Sequence, residues 1–98
     1  MFGKLFGLQG NVDCETMIAN GAKVIDVRSP GEYAGGHVPG SINVPLDQLP
    51  GRIHELKKLK TPLLLCCASG MRSGQAQRIL AAEGLEVHNA GSWRSIPH

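Results

Sequence analysis

The stretch PLLLCCASGMRS, residues 62–73, constrains the fold of this 98-residue chain more than any other. It runs from Pro62 through five consecutive apolar residues, Leu63–Cys67, into a polar loop that contains Gly70. A short run that is apolar at every position suits a strand covered on both faces, as at the centre of a parallel sheet. A buried helix would need about ten residues or more. The sequence therefore predicts a central parallel strand that leads into a short loop.

The rest of the chain alternates between helical and extended patterns. A first short helix is predicted with Asp13 as its N-cap, Val12 and Met17 as a hydrophobic staple, and Gly21 as its end. The later patterns predict strands at residues 23–27, 41–44 and 85–88, helices at residues 46–59 and 73–83, and a long loop at residues 28–41. Strands that alternate with helices at this spacing indicate an α/β fold, a small mainly parallel sheet flanked by helices.

Length and charge limit what the chain can be. Ninety-eight residues suit one domain, residues 1–98, in which residues 1–10 are interpreted as a terminal strand or frayed segment. Phe2, Leu5 and Phe6 fall at helical spacing there, but the segment is too short and too rich in glycine for a membrane span. A net charge of +2 does not indicate a nucleic-acid partner.

The cysteine and histidine content bears on compartment and metal binding. Three cysteines, two of them adjacent, with no secretory signal predict reduced thiols and a cytoplasmic protein. The four histidines and the cysteines lack the spacing of a zinc site, so neither a metal nor a cofactor is expected.

The loop after the central strand is the predicted site. Open α/β sheets bind ligands at the carboxyl ends of their strands, where loop amides and the N-terminus of a helix favour negative charge. A cysteine there loses its proton readily, with a pKa of about 3.5 to 7.5. Gly70 lets the backbone fold around a guest, and Arg72 adds a positive charge with several donors.

CASGMRS resembles the active-site loop of rhodanese domains, which reads Cys, two residues, Gly, one residue, Arg, then Ser or Ala. VIDVRSPGEYAGGHVPGSINVPL is similar to the family's upstream signature. NAGSWRSI is similar to its closing Gly-Gly-x-x-x-Trp segment, with Ser92 in place of the second Gly and a shorter gap to Trp93. Order and spacing agree from Val12 to Trp93.

The resemblance implies a rhodanese-like fold and a sulfurtransferase of the thiosulfate sulfurtransferase type. Cys67 would be the catalytic residue, carrying a sulfane sulfur as a persulfide from a donor such as thiosulfate or a polysulfide to a thiol or cyanide. The expected partners are thus a small-molecule sulfur donor and a thiol acceptor. The residues expected to bind the substrate follow Cys67 in the loop: Ala68, Ser69, Gly70, Met71, Arg72 and Ser73. Because Arg72 is the only charge in this loop, a dianionic donor is expected to bind weakly, and Met71 would suit a persulfide or polysulfide.

Two other functions remain open at this point. Counted from Cys66, the loop has the Cys, five residues, Arg spacing of cysteine-dependent phosphatases and arsenate reductases, although Gly70 then stands one place too late. A non-catalytic rhodanese-like module that binds or regulates a partner is the second alternative. Cys66 and Cys14 are interpreted as packing residues.

The remaining candidates receive structural interpretations. Four polar residues are expected to brace the long loop: Asp26, Arg28, Glu32 and His37. Trp93 is expected to pack against the sheet. Lys57, Lys58 and Lys60 form a small basic run, solvated or open to an acidic protein partner.

Overall fold

The computed structural model describes residues 13–98. The predicted terminal strand or frayed segment, and the staple residue Val12, lie outside this range. The helices are α1 (Cys14–Ala19), α2 (Pro30–Ala34), α3 (Leu49–Lys57) and α4 (Met71–Ala82). The strands are β1 (Lys23–Asp26), β2 (Ile42–Asn43), β3 (Leu63–Cys67) and β4 (Val87–Ser92). Short 3-10 turns at Leu46–Gln48 and Trp93–Ser95 precede α3 and follow β4.

The four strands form one parallel sheet in the order β2-β1-β3-β4. β3 lies inside the sheet, between β1 and β4, and every one of its residues is buried. The predicted central strand and the α/β class are thus confirmed. Helices connect the successive strands, as the alternating sequence pattern indicates.

The side chains of β3 alternate between two cores, because successive residues of a strand face opposite sides of the sheet. Leu63, Leu65 and Cys67 belong to a cluster that buries side chains of α3 and α4, among them Leu56 and Leu80. Leu64 and Cys66 belong to a second cluster with Cys14 of α1 and Ile96 near the C-terminus. The two adjacent cysteines therefore lie on opposite faces of the sheet.

Several predicted elements and boundaries differ from the structure; the helix predicted at residues 46–59, for example, is a 3-10 turn at Leu46–Gln48 followed by α3 at Leu49–Lys57. The stretch predicted as a loop at residues 28–41 contains α2, which Ser29 and Glu32 cap reciprocally and Pro30 begins. α4 begins at Met71, two residues before the prediction, because Gly70 takes the left-handed conformation (φ 106°) that turns the chain into the helix. The last strand lies at Val87–Ser92 instead of residues 85–88, since Leu85 N–H still bonds Leu80 at the end of α4.

Candidate active site

Cys67 is the last residue of β3, and its side chain faces the side of the sheet on which α4 packs. α4 has no side-chain N-cap of its own, because Gly70 occupies the cap position. The first N–H groups of a helix lack partners within the helix. The structure thus brings the Cys67 sulfur to the place where a capping oxygen would otherwise sit.

Three donors converge on the Cys67 sulfur. The N–H of Gly70 lies 2.9 Å from Sγ, and the N–H and Oγ of Ser73 each lie 3.4 Å from it. Ser73 is the third residue of α4, so its N–H belongs to the positive end of the helix dipole. This ring of donors suits a sulfur that bears negative charge.

The pKa of Cys67 reflects the balance between burial and these hydrogen bonds. Burial is the largest single influence and raises the pKa. Hydrogen bonds from the hydroxyl and N–H of Ser73, and from the N–H groups of Ser69 and Gly70, act together in the opposite direction. The net result is a pKa below the ordinary value of 9.0, as expected for a thiol that helix and loop amides stabilise as thiolate.

Cys66 has the opposite environment. Burial, followed by the nearby charge of Asp26, raises the pKa of its thiol to about 12. Its neighbours in the second core are mainly apolar side chains. A phosphatase mechanism would need Cys66 as a thiolate nucleophile, and this environment argues against it. Cys14, in the same cluster, also has a raised pKa through burial.

Asn89 of β4 forms hydrogen bonds with the loop and with the first turn of α4, and the sequence analysis did not identify it. Its Oδ1 accepts hydrogen bonds from Ser73 Oγ at 2.7 Å and Gly91 N–H at 2.9 Å, and its Nδ2 donates to the Gly70 carbonyl at 3.1 Å. The single hydroxyl proton of Ser73 is therefore shared between Asn89 and the Cys67 sulfur. A register shift in the pairing of β3 with β4 precedes Gly91, which lies against Gly70. Asn89 thus fixes Gly70 and Ser73, two of the residues that donate to Cys67, and no local sequence signal identifies it.

Arg72 lies at the rim of the loop, where its charge is shared with α2. Its two terminal nitrogens donate to the two carboxylate oxygens of Glu32 at 2.7 and 2.9 Å. The hydrogen bond from Arg72 is the largest reason why the pKa of Glu32 falls to about 2. Arg72 was expected to offer its charge to the substrate, and Glu32 neutralises that charge in the structure.

The remaining bracing residues behave largely as predicted. Arg28 is buried and donates to both carboxylate oxygens of Asp26, and also to the Gly36 carbonyl at 2.7 Å. His37 stacks on Tyr33 with the ring centroids 3.7 Å apart, and its Nδ1 lies 2.7 Å from the Tyr33 carbonyl. These contacts hold the segment around α2 against the end of β1.

The other loop residues form the outer surface of the site. Ala68 and Ser69 are exposed, and Met71 has 76% of its surface in contact with solvent. Cys67 itself is only 1% exposed, so a reagent must reach it through the loop. A cavity of about 290 Å³ adjoins the loop at Ala68. A larger one, of about 450 Å³, lies near Lys23 at the opposite end of β1 and is remote from the thiol.

Two further observations concern metal binding and membrane-spanning helices. Between residues 13 and 98, no three His, Cys, Asp or Glu side chains are arranged as metal ligands. Among the same residues, no helix has the length and hydropathy needed to cross a membrane.

The parallel sheet and its cysteine-bearing loop define a class of small α/β domain with an anion-stabilising site at the end of β3. The chain belongs to the rhodanese-like domain family, whose family model matches residues 11–95. The resemblance carried by CASGMRS and the upstream signature is thereby confirmed.

Several known proteins are similar to this chain in sequence or in structure. YqhL of Bacillus subtilis, an uncharacterized protein, is 44% identical over 69 residues, which are 69% of this chain and 54% of YqhL. PspE of Escherichia coli, named a thiosulfate sulfurtransferase, is 40% identical over 74 residues, which are 74% of this chain and 71% of PspE. The chain thus spans about half of YqhL. A solved rhodanese with anions from Escherichia coli superposes with a TM-score of 0.70 at 39% identity, covering 76% of this chain and 91% of that one.

Proposed function

We propose that the chain is a sulfurtransferase that carries a sulfane sulfur on Cys67 as a persulfide. The observation that supports this most directly is the ring of donors around Sγ, which stabilises a thiolate and can equally stabilise a persulfide anion. The name of PspE as a thiosulfate sulfurtransferase supports the same class of reaction.

The reaction would take place in two steps. In the first, the Cys67 thiolate attacks the outer sulfur of a donor such as thiosulfate, the sulfur–sulfur bond of the donor breaks, and sulfite leaves with the bonding electron pair. In the second, an acceptor thiolate attacks the outer sulfur of the Cys67 persulfide. The acceptor then leaves as a persulfide and Cys67 is released as a thiolate. Electrons and charge balance in each step without an external oxidant or reductant.

The residues of the loop have distinct roles in this proposal. The N–H groups of Ser69, Gly70 and Ser73 hold the anionic sulfur in both steps. Ala68 and Met71 form the exposed surface over which the donor enters. Arg72 contributes its charge only in part, because it shares it with Glu32. A donor of low charge, such as an organic persulfide or a polysulfide, therefore suits the loop better than a dianion.

The natural partners follow from this chemistry. The proposed partners are a small-molecule sulfur donor and a thiol acceptor in the cytoplasm. Lys57, Lys58 and Lys60 are exposed, and Lys57 forms an ion pair with Glu83 at 3.4 Å. Docking of an acidic protein on this basic run stays a prediction.

The decisive experiment is to locate the transferred sulfur. Reduced protein is incubated with thiosulfate or with polysulfide, the intact mass is recorded, and the modified residue is mapped. We expect a gain of one sulfur on Cys67, reversed by cyanide or a thiol, absent in Cys67→Ser and retained in Cys66→Ser. Sulfur found on Cys66, or a gain that survives in Cys67→Ser, would refute the assignment. No gain from either donor with an accessible thiol would favour the non-catalytic binding module.

A further inference from the structure

The cavity of about 290 Å³ beside the loop is lined by residues from three parts of the chain. Ala68, which follows Cys67 in the chain, lines it on the loop side, and Trp93 and Arg94 line it on the C-terminal side. The other lining residues come from the end of β1 and from α2 and its C-terminal turn: Arg28, Gly31, Glu32, Gly35 and Gly36. Its volume lies just below the range for pockets that hold drug-sized ligands, about 300 to 1,000 Å³, so a small ligand suits it.

The charges around this cavity do not cancel. Arg28 is buried and its charge is matched by Asp26. The carboxylate of Glu32 is matched by Arg72. Arg94 is exposed and, within residues 13–98, forms no ion pair. One positive charge is therefore left at the cavity for a ligand to neutralise.

Trp93 gives that charge a defined position. The guanidinium carbon of Arg94 lies 4.9 Å from the centre of the Trp93 ring, within the range of a cation–π contact. The guanidinium carbon of Arg28 lies 4.7 Å from the centre of the same ring. A Cβ on Gly36 would lie 3.2 Å from the Trp93 ring, so the glycine lets the ring lie close to the backbone. A guanidinium stacked by its face keeps its edge N–H groups available to a carboxylate.

We infer that this cavity binds the carboxylate end of a small anionic thiol, with Arg94 as the cation that recognises it. The inference rests on the proposed function and names its acceptor class. The carboxylate binds at Arg94, and the thiolate of the same molecule enters the loop past Ala68. It attacks the outer sulfur of the Cys67 persulfide, and the Cys67 sulfur takes the electron pair of the broken bond.

Binding can be measured apart from chemistry, because Trp93 is the only tryptophan of the chain and lines the cavity. In a Cys67→Ser background, which cannot accept sulfur, mercaptosuccinate is titrated while tryptophan fluorescence is recorded. We expect a saturable change whose dissociation constant rises about fivefold in Arg94→Gln. Arg78→Gln is the matched control, since Arg78 is an exposed arginine of α4 that does not line the cavity. Equal affinity in both variants, or no saturable change, would overturn the inference.

Kinetics of the second step provide an independent test. Protein loaded with sulfur on Cys67 is mixed with mercaptosuccinate or with uncharged 2-mercaptoethanol. We expect Arg94→Gln to lower the preference for mercaptosuccinate over 2-mercaptoethanol about fivefold, and Arg78→Gln to leave it unchanged. An unchanged preference in Arg94→Gln would refute the acceptor site while the sulfurtransferase proposal stood. Failure to load Cys67 at all would refute the sulfurtransferase proposal, and with it the acceptor role given to the cavity.

Discussion

Cys66 and Cys67 are neighbours in the chain, and their thiols have opposite properties. Both are buried to within 1% of their surface, so exposure does not distinguish them. The difference comes from the alternation of side chains along β3. Cys67 faces α4, whose unpaired N–H groups reach its sulfur, whereas Cys66 faces a mainly apolar cluster with α1 and the C-terminal segment.

This difference shows what turns a buried thiol into a candidate nucleophile. Burial alone raises the pKa of both cysteines. Only on the side where a helix begins do enough donors meet the sulfur to reverse that effect. Two thiols one residue apart in the sequence therefore lie in different environments, one in a site that stabilises an anion and the other in a packed core.

The largest expected effect is the difference in thiol reactivity at neutral pH. A pKa of about 12 leaves roughly one Cys66 in 10⁵ as thiolate at pH 7, whereas a pKa below 9.0 leaves more than about one Cys67 in 10². We expect iodoacetamide to modify Cys67 at least about a thousandfold faster than Cys66.

The two cysteines are adjacent and are hard to separate by peptide mapping, so the rates are best compared between variants. Cys66→Ser leaves Cys67 to react, and Cys67→Ser leaves Cys66. Comparable rates in the two variants, after modification of Cys14 has been mapped and subtracted, would show that the two environments do not differ as described.

The next effect is on stability. Cys66→Ser places a hydroxyl in an apolar cluster, and we expect the free energy of unfolding to fall by about 1–3 kcal/mol. Cys67→Ser is the matched comparison, because its hydroxyl can accept the N–H groups of Gly70 and Ser73 as an N-cap serine would. We expect a loss of under about 1 kcal/mol there. Urea denaturation of both variants measures the difference, and an equal loss would contradict the opposite environments.

Much of this comparison could be predicted from sequence. The apolar run Leu63–Cys67 identifies a central strand, and the spacing to Gly70 and Arg72 selects Cys67. The interpretation of Cys66 as a core residue agrees with its burial. These inferences depend on local patterns, in which periodicity and spacing carry the information.

The parts that were missed depend on contacts distant in sequence or on weak local signals. Asn89 is 16 residues from Ser73, and Glu32 is 40 residues from Arg72, so neither partner is evident before the fold is known. α2 was a different case, since Ser29 and Glu32 have the spacing of a capping box. Its many glycine neighbours favoured a loop interpretation instead.

A smaller effect is expected when one donor to Cys67 is removed. Ser73→Ala removes a hydroxyl whose single proton is shared between Asn89 Oδ1 at 2.7 Å and Cys67 Sγ at 3.4 Å. The thiolate of Cys67 loses this stabilisation, so the pKa of Cys67 rises. We expect alkylation of Cys67 near pH 7 to be about tenfold slower in Ser73→Ala than in the wild-type protein. At pH values above the pKa of Cys67 in both proteins, the two rates should become equal. Ser69→Ala is the control, because Ser69 contributes through its N–H. A similar pH profile for both variants would contradict a role for the Ser73 hydroxyl.

The smallest expected effect concerns the charge at the rim of the same loop. Glu32→Gln keeps an oxygen that can accept the N–H of Ser29, so α2 remains capped, but it removes the negative charge that neutralises Arg72. With Arg72 free, we expect the KM for thiosulfate to fall about two- to fivefold. The control is Glu55→Gln, which breaks a similar two-bonded pair with Arg52 on α3, away from the loop. If both variants lowered the KM equally, net charge would explain the effect. If only Glu32→Gln did so, Glu32 limits the binding of anionic donors, and the electrostatics of the Cys67 site extend beyond the donors that touch its sulfur.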